Sequence, residues 1–398
     1  MEERVNCKLG DLFEFEYGKG LPKKQRNEAG NYPVYGSNGI VGFHDEYLIE
    51  GPAIIVGRKG AAGEVAFEKK NLWPIDTTYF IKVPSSLDFM FSFFLLKSLV
   101  LSQLDKSTAI PGLNRNDAYN LNISLPPLPE QRAIVSKIEQ LFSELDNGIS
   151  NLKLVQEQLK VYRQAVLKKA FEGNWEIVTI GDKFDFIGGG TPSKKEPKYW
   201  NGEIPWCSVK DIKGKYLHST IDKITNEGLK NSASNLAKVD EVILVTRISP
   251  GKAIIAKTET AINQDLKIIK PKFKSIPLFV YYLFNSLENQ YVKLSSGTTV
   301  LGINLTNLKS IPIPNIPFGQ QQTIVHEIET RLSVCDKIEQ DIAENLEKAE
   351  ALRQSILKKA FEGKLLNEKE LAEVRGAEDW EPAEVLLKRI KAEKAGKK

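Results

Sequence analysis

Leu167-Lys168-Lys169-Ala170-Phe171-Glu172-Gly173 recurs residue for residue as Leu357-Lys358-Lys359-Ala360-Phe361-Glu362-Gly363. The copies lie 190 positions apart (363 − 173), far beyond the roughly 20–50 residues of a solenoid repeat. Upstream, Gln131 and Gln321 stand at the same offset, as do Ile134-Val135 and Ile324-Val325. The chain carries a domain-scale duplication.

Each copy closes one long amphipathic stretch. Ile134, Ile138, Leu141, Leu145, Ile149, Leu152, Val155, Leu159, Tyr162, Val166 and Ala170 follow one another at steps of three or four. Ile324, Ile328, Leu332, Cys335, Ile338, Ile342, Leu346, Ala349, Leu352, Ile356 and Ala360 do the same. Such spacing keeps one apolar stripe on a helix of about 40 residues, or roughly 60 Å at 1.5 Å per residue. Prolines stop just before each stretch, and Gly173 and Gly363 follow, where a left-handed cap is usual. A narrow heptad-like stripe favours a partner helix, which the other copy supplies. The simpler reading packs each helix along its own globular domain.

The chain has 398 residues, enough for two or three cored domains. Its net charge of +4 is small, so a nucleic-acid surface has to be local. Cys7, Cys207 and Cys335 lie far apart, against a disulfide framework or a zinc cluster. Met1-Glu2-Glu3-Arg4 is not an apolar leader, and Phe91 to Leu101 is too short to span a bilayer. A cytoplasmic protein with no membrane partner is expected.

Residues 1–124 read as a first α/β unit, with strands at Ala53–Val56 and Tyr79–Val83 and a helix from Leu87 to Leu104. Residues 125–173 form the first long helix. Residues 174–310 repeat the plan, with strands at Glu241–Val245 and Leu266–Ile269 and a helix from Leu278 to Leu287. The second long helix occupies 311–364, and 365–398 is a tail with a short helix after Pro382 and a frayed, lysine-rich end. Thr108-Ala109-Ile110-Pro111-Gly112-Leu113-Asn114 matches Thr298-Thr299-Val300-Leu301-Gly302-Ile303-Asn304 at 190. Ile54-Ile55-Val56-Gly57-Arg58 lies near the equivalent of Ile243-Leu244-Val245-Thr246-Arg247. Similar frames with divergent loops suit two different targets read with one geometry.

Those loops are dense in the side chains that duplex DNA requires, cations for phosphates and polar groups for base edges. The candidates in the first unit are Lys19, Lys23, Lys24 and Arg26, then Ser37 and Asn38, Arg58 and Lys59, and Thr77 and Thr78. In the second they are Lys194, Lys195, Lys198, Lys210, Lys213 and Arg247. Catalytic signals are weak. Phe186-Ile187-Gly188-Gly189-Gly190 evokes a cofactor loop but lacks the companion Pro-Pro-aromatic motif, and is read as a turn needing positive φ. A Walker phosphate loop is missing, and His44, His218 and His326 are isolated. No catalytic and no metal residue is expected.

Further motifs complete the pattern: Leu125-Pro126-Pro127-Leu128-Pro129-Glu130-Gln131-Arg132, Tyr35-Gly36-Ser37-Asn38-Gly39-Ile40, Gly57-Arg58-Lys59-Gly60-Ala61-Ala62-Gly63, Gly189-Gly190-Thr191-Pro192 with Ile204-Pro205-Trp206, and Glu381-Pro382-Ala383 with Leu386-Leu387. Taken together and in this order, they resemble the specificity subunit of type I restriction–modification systems over essentially the whole chain. The second helix start departs from it, with Phe318-Gly319-Gln320-Gln321 in place of Pro-Glu-Gln. The resemblance implies two pseudo-symmetric α/β target-recognition domains separated by two long antiparallel, coiled-coil-like helices. Each domain would read half of a bipartite site in double-stranded DNA, and the helices would set the spacer. Two methylation subunits and, for cleavage, restriction subunits would assemble on this platform. S-adenosylmethionine, ATP and Mg2+ would serve those partners, with no cofactor in this chain. An orphan modification system without a nuclease is a variant of this reading. The rival is a coiled-coil scaffold with two protein-binding domains.

Overall fold

The computed structural model describes residues 4–105, 111–295 and 301–396. Thr108-Ala109-Ile110 and Thr298-Thr299-Val300 of the duplicated segment lie outside the described residues. The amphipathic stretches form helices Leu128–Ala170 and Phe318–Phe361. The chain divides into two compact units, Met1–Leu152 with Glu344–Lys398, and Lys153–Ala343. Both unit boundaries therefore fall inside the long helices.

In the first unit, Glu16–Tyr17, Thr78–Ile81, Ala53–Gly57 and Val65–Glu68 form a four-stranded antiparallel sheet in that spatial order. A smaller sheet orders Gly39–His44, Tyr32–Gly36 and Trp73–Pro74, the last pair parallel. Val5–Lys8 pairs with Asn122–Leu125. Ile54 and Val56 turn into a core that also takes Ile134, Ile138, Ile356, Leu357 and Ala360 from the two long helices. The expected 87–104 helix stops at Ser98, because Val100 turns left-handed (φ 43°) before a short 3-10 turn.

The second unit repeats this plan. Phe184–Gly188, Leu266–Pro271, Val242–Val245, Ala253–Ala256 and Tyr216–Leu217 form one sheet in that order, and Ile177–Thr179 pairs with Pro312–Pro314. Its core takes Leu167, Ile324, Val325 and Ile328 from the long helices and Phe171 from just past the first. Here Arg163 bridges Asp336 (2.6 Å) and Glu339 (3.0 Å), while Ala170 shares a cleft with Glu327 and Ile328. Later residues of one helix thus meet earlier residues of the other, which is antiparallel pairing. Pairing and packing against the unit's own domain coexist, since Arg163 bridges the two helices while Leu167, Ile324 and Ile328 enter the domain core.

One duplicated residue explains how helix and domain are fixed together. Gln131 is fully buried; its Oε1 accepts from Asp88 N (3.1 Å) at the cap of helix Phe89–Ser98, and its Nε2 donates to Pro126 O (3.0 Å). Gln321 is also fully buried, accepting from Ile276 N (3.1 Å) and donating to Ile316 O (3.5 Å). The altered helix start at 318–321 keeps the side chain that does this.

Two local expectations are corrected. The tail is not frayed over its described length: helix Ala383–Gly396 buries Leu386 and Ile390 in the first core, and the Lys394 ammonium donates to the carbonyls of Gly10 and Phe13. Gly363 takes the left-handed cap (φ 76°), but Gly173 does not; a Cβ there would stand 2.5 Å from the Trp175 indole nitrogen.

Candidate nucleic-acid interface

The loop after strand Ala53–Gly57 is held by its backbone. Gly57 N donates to Glu64 O (2.8 Å), Gly63 N to Gly57 O (2.8 Å), Arg58 N to Thr77 O (2.9 Å) and Gly60 N to Pro111 O (2.9 Å). Leu113 N returns to Arg58 O (2.9 Å), and Lys59 bridges Gly112. The loop after Val242–Val245 repeats all of this. Val245 N donates to Lys252 O (2.8 Å), Gly251 N to Val245 O (2.9 Å), Thr246 N to Asp265 O (2.9 Å) and Ile248 N to Leu301 O (2.8 Å). Ile303 N returns to Thr246 O (2.9 Å), and Arg247 bridges Gly302. The frame equates Lys59, not Arg58, with Arg247, so the strand alignment read from the sequence shifts by one residue.

Gly63 (φ 82°) and Gly251 (φ 103°) close the two turns, and a Cβ at either would meet a neighbour at 2.2 Å. Backbone and glycine are common to both sites. The side chains on them are not.

In the first unit the Arg58 guanidinium donates twice to Asp76 O (3.0 and 2.7 Å) and lies 5.3 Å over the Tyr17 ring. Arg115 stacks on the same ring at 4.9 Å. The Tyr17 and Tyr79 ring centroids lie 5.1 Å apart, and burial pushes the Tyr79 hydroxyl pKa up. The result is a cationic shelf on an aromatic floor, with Lys59 exposed beside it.

In the second unit Gly188 stands where Tyr17 stands, as strand pairing shows: Tyr17 faces Tyr79, and Gly188 faces Lys267. A Cβ on Gly188 would sit 3.2 Å from the Lys267 ammonium. Burial lowers the Lys267 pKa, with Arg247 adding to the effect and Asp265 opposing it. Asp265 is buried and accepts from Asn263 Nδ2 (3.2 Å) and Gln264 Nε2 (3.4 Å), while Arg247 Nη1 stands 3.4 Å from its other oxygen. This corner is also cationic, but it is built on a buried carboxylate instead of an aromatic ring.

The structure sorts the remaining candidates. Ser37 reaches the corner, since its Oγ lies 3.5 Å from where a Cβ on Gly60 would be, and Asn38 is exposed in the same hairpin turn. Thr77 offers its carbonyl to Arg58 and Lys59. Thr78 is corrected: it is fully buried and its hydroxyl donates to Ile75 O (2.8 Å). Arg26 is corrected too, because its guanidinium braces Leu21 O and Val41 O. Lys19, Lys23 and Lys24 are exposed. Lys194 and Lys195 are exposed just after Thr191, which bonds Gln264, whereas Lys198 is paired with Glu227 at 2.6 Å. Lys210 and Lys213 line one cleft with Tyr216 and His218.

Sequence reasoning missed Tyr17, Arg115, Gln264, Asp265 and Lys267. The register-corrected offset of 188, from Thr77 to Asp265, is the signal that locates the second set. The glycines 188–190 do not serve positive φ; Gly189 packs where a Cβ would stand 2.2 Å from Ile262 O. Among the described residues no group of three or more His, Cys, Asp and Glu is placed to hold a metal, and no helix is long and apolar enough to cross a membrane.

Comparison with known proteins follows the same lines. The model of the type I restriction modification DNA specificity domain matches residues 1–154 and 172–348. The EcoDI type I restriction enzyme specificity subunit of Escherichia coli is 25% identical, over 97% of this chain and 94% of that one. The EcoR124I/EcoR124II specificity subunit, also of Escherichia coli, is 32% identical over 56% of this chain and 54% of its own. In fold, a chain from a structure of type I R-M complex assembly aligns with TM-score 0.67 at 18% identity, covering 92% of this chain and 99% of that one. The HsdS subunit of Thermoanaerobacter tengcongensis aligns with TM-score 0.55 at 19% identity, over 91% and 97%.

Proposed function

The chain belongs to the type I restriction–modification DNA specificity family, and from that premise we propose how it works. It is the DNA sequence-specificity subunit of such a system. Each unit reads one half of a bipartite site in double-stranded DNA, and the paired helices set the unread gap. The observation that carries this is the repeated loop frame with divergent cationic side chains, Arg58, Lys59 and Arg115 on one copy and Arg247 and Lys267 on the other. Phosphates demand the charge that both share, and different base sequences demand the chemistry that differs.

Recognition lies in this chain and catalysis in its partners. Two methylation subunits, holding S-adenosylmethionine, dock at the helix starts and outer faces. Exposed Leu154, Val161 and Val334 on the long helices are apolar surface suited to such docking. Restriction subunits using ATP and Mg2+ join for cleavage, and the complex acts on cytoplasmic DNA.

The test is single-molecule methylation mapping of genomes with and without this gene. A two-part N6-methyladenine motif with a fixed gap should vanish with the gene. Loss of no motif, together with no sequence-specific binding by the purified complex, would favour a protein-binding scaffold. Deleting about two turns from a long helix, roughly 10 Å, should shorten the gap; a changed half-site would refute the spacer role.

A further inference from the structure

Among the described residues two β-branched side chains sit at positive φ, Val100 where a helix ends and Ile248 at the tip of a recognition loop, and only the second lies at the site described above. It adopts φ 76°, a left-handed conformation that a β-branched side chain strongly disfavours. The equivalent position in the first unit is Gly60 (φ 82°), where the same turn forms without strain. Nor does packing account for an isoleucine, because Ile248 is 54% exposed. A strained, exposed apolar side chain in a loop points to contact with a ligand.

Its neighbour is Arg247. Among the described residues its guanidinium meets one partner, Asp265, through Nη1, and its side chain remains 54% exposed. The Asp265 carboxylate is buried and steadied by Asn263 and Gln264. Arg247 thus stands beside a fixed anionic anchor with most of its donors uncommitted among the described residues. Arg58 differs, since its Nε and Nη2 are committed to Asp76 O and its guanidinium lies over the Tyr17 ring.

We propose that Arg247 and Ile248 form the base-reading tip of the second unit, Arg247 hydrogen-bonding a guanine and Ile248 packing on the 5-methyl group of a neighbouring thymine in the major groove. A pre-oriented guanidinium matches the O6 and N7 acceptors of guanine, and an apolar side chain distinguishes thymine by its methyl group. Arg58 and Arg115, held on Tyr17, serve the first unit as a phosphate shelf. This inference rests on the function proposed above.

The experiment maps N6-methyladenine genome-wide in cells carrying the full-length gene with its native partner genes, as wild type, Arg247→Ala, Arg247→Lys or Ile248→Gly. Both Arg247 variants should make one G·C position of one half-site degenerate, with discrimination falling on the order of ten- to a hundred-fold. Ile248→Gly, which suits the backbone, should relax an adjacent T·A position and leave the rest intact. Uniformly weaker methylation of an unchanged motif would assign Arg247 to a phosphate and overturn the proposal. An unchanged motif at unchanged level would also overturn it, by removing this loop from the interface. A wild-type strain with no bipartite motif would instead refute the functional reading itself.

Discussion

The loops at 57–64 and 245–252 share five backbone hydrogen bonds, yet of the residues at their tips only Gly63 and Gly251 agree. One tip reads Arg58-Lys59-Gly60 and the other Thr246-Arg247-Ile248. Backbone partners hold each tip from three sides, so its shape does not depend on which side chains it carries. Recognition chemistry is therefore free to differ where the frame is not. The first tip leans its guanidinium on an aromatic ring and a carbonyl, while the second leans its own on a buried carboxylate. The first arrangement commits donors, and the second frees them.

If the frames are equivalent, the buried glutamines that fasten them should matter alike. Gln131→Ala leaves Asp88 N and Pro126 O without partners in a buried setting, and should destabilise the first unit by about 2–4 kcal/mol. Gln321→Ala should cost somewhat less, about 1–3 kcal/mol, because its bond to Ile316 O is long. Thermal unfolding of the full chain measures both; an effect confined to one unit would break the equivalence.

A reciprocal exchange sharpens the contrast between the tips. Gly60→Ile imposes left-handed strain where none exists, and should lower stability by about 1–2 kcal/mol. Ile248→Gly removes such strain against a smaller backbone-entropy cost, so stability should hold or rise by up to about 1 kcal/mol. Equal losses at both positions would mean that Ile248 is packed into the fold after all.

The smallest expected effect concerns pH. Burial pushes the Glu329 carboxyl up, but bonds from Lys215 (2.7 Å) and the Tyr282 hydroxyl outweigh it and leave the pKa below the ordinary 4.5. A group depressed on folding stabilises above its unfolded value and loses that contribution as pH falls through the folded one. The second unit should therefore weaken below about pH 4.5 in the wild type, and less steeply in Glu329→Gln. Identical acid profiles would remove Glu329 from the account.

The duplication, the long helices and several strands were legible because periodicity and exact repeats record buried positions, such as Ile134 with Ile324. The tips were legible only as loops rich in cations. Sequence spacing set Arg58 against Arg247, and only the backbone bonds of Thr77 and Asp265 corrected the register. Thr78 and Arg26 look like DNA-contacting residues in a string of letters, yet one fills the core and the other braces two carbonyls. Tyr17 and Arg115 escaped notice for the opposite reason: 98 residues separate two side chains that share a ring contact (115 − 17).

The central claim is that the two units serve two half-sites independently, with the base-reading tip on the second copy of the frame and a phosphate shelf on the first. Methylation mapping of cells carrying either Lys59→Ala with Arg58→Ala or Arg247→Ala tests it most directly. The account predicts that Arg247→Ala alters the base preference of one half-site only. The first-unit pair should weaken use of the site without altering that half, and both should leave the gap unchanged. If Arg247→Ala altered both halves, or either variant changed the gap, the two units would not be separate readers and the account would be wrong.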